Sequence, residues 1–119
     1  MSAVSAALTP VCPQIESQLK PRLSGLFSGM IRGYLPQFWA FTTEAGTATL
    51  RVDSGGNATV VEGGAQPLDV GITWTQAQLE WAIVRQGNGP RPSGADPKVV
   101  FYTGKGRTAF GFLKGRFNL

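Results

Sequence analysis

Histidine is absent from the 119 residues. That removes Ser-His-Asp and Cys-His nucleophilic machinery and any imidazole metal site. One thiol remains, Cys12, and with no histidine to take its proton it reads as a bystander. The seven carboxylates, Glu16, Glu44, Asp53, Glu62, Asp69, Glu80 and Asp96, are scattered. No spacing among them suggests a metal cluster or a paired acid and base. The chain is therefore read as non-enzymatic, with no catalytic residue, no metal and no cofactor. What remains is cations and rings. Lys98, Lys105, Arg107, Lys114 and Arg116 follow Asp96 with no acid after it, interleaved with Phe101, Tyr102, Phe110, Phe112 and Phe117. Cations for phosphates and rings for stacking would make a single-stranded nucleic-acid platform. The same mixture suits an anionic membrane surface. The plainer reading, which we favour, is a core-facing aromatic set with a solvated cationic face. Only a fragment of an RNP-like order is present, Thr108-Ala109-Phe110-Gly111-Phe112.

The best-specified element that could position such residues runs from Asp69 to Gly87. Val70, Ile72 and Trp74 alternate with Gly71, Thr73 and Thr75, which predicts a strand with one apolar face. Beyond Gln76 the period changes: Leu79, Ala82 and Ile83 recur at helical steps. Thr75 at the junction, with Gln78 three residues on, predicts a capping box. Gly87 supplies a left-handed stop.

Upstream, Ile15–Tyr34 has a helical apolar rhythm, and Pro21 predicts a kink or break near its own position. Residues 1–12 read as a loose start. Phe38, Ala40 and Thr42 alternate with Trp39, Phe41 and Thr43 in a first strand; 47–53 and 57–64 give two more, with Asp53-Ser54-Gly55-Gly56-Asn57 as the turn between them. Short turns between successive strands predict an antiparallel meander, one face of it covered by helices. After Gly87, residues 88–96 hold too many glycines and prolines for regular structure. Val99–Tyr102 prefers a strand, 108–113 fits a helical turn or a strand, and Arg116–Leu119 alternates as a final strand. The length allows one domain, 1–119, with one core. No apolar run approaches the ~20 residues that span a bilayer, and the first residues lack a secretory pattern. A lone cysteine fits a reducing compartment, so the expected localisation is cytoplasmic.

The order of a helix, a strand meander and then Asp69-Val70-Gly71-Ile72-Thr73-Trp74-Thr75 entering a helix resembles the sterol-carrier-protein-2-like family. Phe112–Leu119 looks like that family's second block, a short helix ending in glycine, a basic residue and an alternating strand; Phe101-Tyr102-Thr103-Gly104-Lys105 is a competing match. The resemblance implies an α+β fold, an antiparallel-rich five-stranded sheet covered on one face by helices. It also implies an apolar cavity between sheet and helices for a fatty acyl chain, a sterol or a similar lipid. The loop at 88–96 is an insertion relative to the family. With Phe112–Leu119 as the second block, the chain stops at its last strand and has no closing helix.

On that resemblance the ligand would be a lipid or other long apolar molecule, bound or transferred without catalysis. The candidate lining residues are Leu26, Met30, Ile31, Phe38, Leu50, Val60, Ile72, Trp74, Leu79, Ile83, Phe110 and Phe112. An anionic membrane surface and a second copy of the chain stay open as partners, and nucleic acid is disfavoured. Two other readings remain: nucleic-acid or anionic-surface binding through the C-terminal segment, and an accessory or dimerisation domain without ligand.

Overall fold

The computed structural model describes residues 2–25, 28–64 and 67–117, and of Ser28, Met30 and Arg116 the backbone alone. The described residues begin with a helix where a loose segment is expected over 1–12. In α1 (Ala3–Leu8) the Ser2 hydroxyl accepts the Ser5 amide at 3.1 Å as the N-cap. Val4, Ala7 and Leu8 recur at helical steps and are buried. Six residues do not hold a helix by themselves; tertiary burial decides this one. α2 (Val11–Leu23) buries Val11, Ile15, Leu19 and Leu23. It keeps Pro21 inside, and the break expected near that proline falls after Leu23, at Ser24 and Gly25. α3 (Ser28–Arg32) follows.

Five strands then form one sheet: β1 (Gln37–Thr43), β2 (Gly46–Val52), β3 (Ala58–Glu62), β4 (Val70–Thr73) and β5 (Lys98–Phe101). Their order is β3-β2-β1-β4-β5. β1, β2 and β3 are the expected hairpins, but β4 does not extend the meander. It crosses to the far side of β1 and pairs with it in parallel, Trp39 against Val70 and Phe41 against Ile72. The stagger of short strands permits this. β3 ends level with Phe41 through the pairs Glu62–Ala48 and Ala48–Phe41, and β4 begins only two residues back, level with Trp39. The link over 63–69 must cover three strand spacings of ~4.8 Å, well within the ~25 Å that such a segment can reach. No long return is needed, so the usual dozen-residue crossover is not required.

The sheet alternates as its sequence predicts. Trp39, Phe41, Leu50, Val52, Val70 and Ile72 point to the helical side and are buried, and they form the core with Leu8, Ile15 and Leu79. After β4, α4 (Gln76–Leu79) starts on the expected capping box, with Thr75 and Gln78 each bonding the other's backbone. It runs on as a π-helical turn over Glu80–Val84. Gly87 follows at φ 74°, its amide donating to the Trp81 carbonyl at 2.8 Å. The loop at 88–97 is held on this helix: Gln78 Nε2 donates to the Ala95 carbonyl at 2.9 Å and Trp81 Nε1 to that of Gly89 at 3.1 Å.

Beyond β5 comes α5 (Gly104–Leu113), continued by a 3₁₀ turn over Lys114–Phe117. The final strand expected at Arg116–Leu119 is not formed through Phe117, and 118–119 lie outside the described residues. Phe117 is instead fully buried, its ring 5.3 Å from Trp39 and 5.5 Å from Phe41. Tertiary burial of that ring overrides the local alternation. The chain therefore does have a helix after its last strand, contrary to the expectation from aligning Phe112–Leu119 with the family's second block. The architecture is α+β, a mixed, antiparallel-rich sheet with helices packed on its buried face. No helix among the described residues is long and apolar enough to cross a membrane.

Candidate functional site

The helices do not close evenly over the sheet. On α2, Gln18, Leu19 and Arg22 share one face; on α5, Ala109, Phe112 and Leu113 share another. Between them, at the Gln37 end of β1, lies a hollow of about 420 Å³. Its floor is the cross-strand pair Gln37 and Val52. Ile31, Tyr34 and Leu35 border it from α3 and the segment after it.

Gln37 is the one deeply buried polar side chain in these walls, 2 % exposed. Its amide is already committed: Nε2 donates to the carbonyls of Tyr34 at 2.6 Å and Lys105 at 3.2 Å, and Oε1 accepts from Trp39 Nε1 at 2.9 Å. The hollow therefore presents mainly apolar chemistry. Arg22 stands exposed at its edge, and among the described residues no ion pair engages it.

The α5 wall is fixed by Asp69, a residue the sequence reading placed in a motif but gave no role. Asp69 is buried, and its Oδ2 accepts the Phe38 amide at 2.9 Å. Oδ1 accepts the Thr103 hydroxyl at 2.6 Å and lies 3.8 Å from Lys105 Nζ. Thr103 in turn caps α5, accepting the Gly106 amide at 2.9 Å. Lys105 Nζ also donates to the Pro36 carbonyl at 2.6 Å. Gly106 lies so close that a Cβ there would stand 2.5 Å from the Asp69 carbonyl oxygen. One carboxylate thus ties the starts of β1, β4 and α5 together. With its oxygens occupied in this way it reads as a positioning group, not an acid or base.

Chemistry of other kinds finds little footing. Burial, and then the charge of Glu16, push the Cys12 thiol up from its ordinary value, away from the reactive thiolate. Among the described residues no three of His, Cys, Asp and Glu gather where a metal ion could sit. The ring-and-cation segment is also dispersed. Phe117 is buried, Phe110 packs 5.7 Å from Trp39, and Arg107 lies 4.7 Å over Phe101. Phe101, Phe110 and Phe117, turned inward, cannot stack bases; Tyr102 and Phe112 stay exposed.

Of the residues named from sequence as lining, Ile31 and Phe112 border the hollow. Leu50, Ile72, Trp74, Leu79 and Ile83 are core. Val60 and Phe110 are half-buried against that core. Phe38 alternates with Trp39 and lies on the other face of the sheet, away from the hollow. Leu26 and the side chain of Met30 lie outside the described residues. The hollow is also bordered by Gln18, Leu19, Arg22, Tyr34, Leu35, Gln37, Val52, Ala109 and Leu113, none of which is named from sequence as lining. A helical reading of 108–113 would have put Ala109, Phe112 and Leu113 on one face; Gln37 and Val52 meet only through strand register.

No protein-family model matches the chain, and no curated protein matches it in sequence. Solved structures similar to it include the following two. One is a UbiJ-SCP2 ubiquinone synthesis protein, at 15 % identity and a TM-score of 0.44, covering 91 % of this chain and 89 % of its own. The other is sterol carrier protein 2 from Yarrowia lipolytica in its apo form, at 16 % identity and a TM-score of 0.41, covering 98 % of this chain and 88 % of its own.

Proposed function

We propose that this chain binds, and passes on without chemical change, a lipid or similar long apolar ligand in the hollow between α2, α5 and the sheet. The observation that carries the reading is a space of about 420 Å³ with mainly apolar walls, whose buried amide already has its partners. At roughly 30 Å³ per water-sized group, the space holds about fourteen such groups, the scale of one acyl chain. At about 0.8 kcal/mol per methylene the gross transfer term is about 11 kcal/mol. Association and ordering costs of about 4 kcal/mol or more then leave about 7 kcal/mol or less, a dissociation constant of about 10 μM or weaker. Ile31, Leu35 and Leu113 would hold the tail, and Arg22 would orient an anionic head.

The test is organic extraction and native mass spectrometry of the purified protein, with displacement of a fluorescent fatty acid. Retained or bound single-chain lipid at a ratio near one is the expected result. Absence of lipid together with no displacement removes the proposal.

A further inference from the structure

Phe112 is the side chain that the hollow explains least. It borders that space, yet it is 78 % exposed, the most exposed large apolar side chain among the described residues. Tyr34, on the same rim, is 36 % exposed. The charges around this rim are uneven. Glu16 is matched by Lys20 at 3.8 Å, and the Asp53 carboxylate is taken up by the Gly55 and Asn57 amides at 2.9 Å. Arg22 on the rim, Arg32, whose Nη2 donates to the Leu23 carbonyl at 3.1 Å, and Lys114 just past α5 have no acid within ion-pair distance among the described residues. Three other acids lie toward the opposite end of β1. Glu44 accepts the Gln76 amide, Glu80 accepts from the Gln76 side chain, and Glu62 receives Ser2 and Ser5. A water-facing ring on a rim that bears the unpaired Arg22, with Glu44, Glu62 and Glu80 toward the far end, is complementary to one kind of surface: an apolar layer beneath anionic headgroups.

We propose that the rim of the hollow docks on an anionic bilayer. Phe112 enters the boundary between headgroups and acyl chains, while Arg22, Arg32 and Lys114 face lipid phosphates. The hollow then opens toward the layer from which its ligand comes. The inference rests on the lipid reading of the hollow, but the two fail separately.

The test is flotation of the full chain with vesicles of phosphatidylcholine alone and of phosphatidylcholine with phosphatidylglycerol at low and high salt. Binding to the anionic vesicles is expected, falling as salt screens the charges. Arg22→Gln and Lys114→Gln should each weaken it roughly fivefold, and Phe112→Ala by about tenfold. Lys98→Gln, a change in β5 outside the proposed rim, should leave binding unchanged. Equal binding to neutral vesicles, no binding at low salt, or a Phe112-dependent dimer without vesicle binding overturns the docking surface. Because these vesicles carry no tracer, fatty-acid displacement with no vesicle binding overturns the docking surface and leaves the ligand proposal standing.

Discussion

Asp69 shows how much one side chain can organise. Its carboxylate receives the Phe38 amide and the Thr103 hydroxyl and sits beside Lys105, so removing it strands three polar groups in a mostly buried place. Asp69→Ala should lower unfolding free energy in urea by about 3 kcal/mol, and Asp69→Asn by less, since the amide oxygen keeps one acceptor. Gly106→Ala presses a Cβ onto the Asp69 backbone, which cannot swing aside; a loss of about 2 kcal/mol or more is expected. Glu62 acts at the other end of the sheet. The hydroxyl of Ser5, and then the amide of Ser2, hold its carboxyl down at about 2. A depressed carboxylate adds stability that is complete above its unfolded value of 4.5 and is lost as pH falls toward the folded value. Thermal unfolding of the native chain should therefore weaken between about pH 4.5 and 2 more steeply than that of Glu62→Gln. Parallel curves would show that the contact does not hold α1 to β3.

The elements divide by how local their causes are. Thr75 and Gln78 make a capping box from side chains three residues apart, so α4 could be foreseen from those two residues. Thr75→Ala should cost about 1 kcal/mol by chemical denaturation, and Thr75→Ser much less. The hairpin at Asp53 was equally plain, because its carboxylate accepts the Gly55 and Asn57 amides at 2.9 Å. Gly56 adds a reason that no local rule contains: at φ 82° a Cβ would lie 2.8 Å from Leu23 of α2. By contrast α1 and the turn at Lys114–Phe117 have weak local signals. Val4 and Leu8 in one, and Phe117 in the other, take their places because the sheet offers buried partners.

Across the whole molecule, the hollow and the exposed Arg22 and Phe112 on its border lie at one end of the sheet. Ile31→Trp places a larger side chain in the hollow from a half-buried position. Fatty-acid displacement should weaken at least tenfold with the melting temperature nearly unchanged; unaltered displacement would move the ligand elsewhere. Packing decides that Trp39 and not Phe38 faces the helices. Alternation and helical spacing by themselves set that Phe38 and Trp39 face opposite ways, where β1 to β3 turn, and where α4 begins and stops. Those properties depend on neighbours a few residues away, and the chain carries them at every stage of folding. The parallel placement of β4 beside β1, the burial of Phe117, and the meeting of Arg22, Gln37 and Leu113 around one hollow depend on residues far apart in the chain. Only the packed structure decides them, because a space between elements is a property of how they fail to touch, and no single segment encodes that.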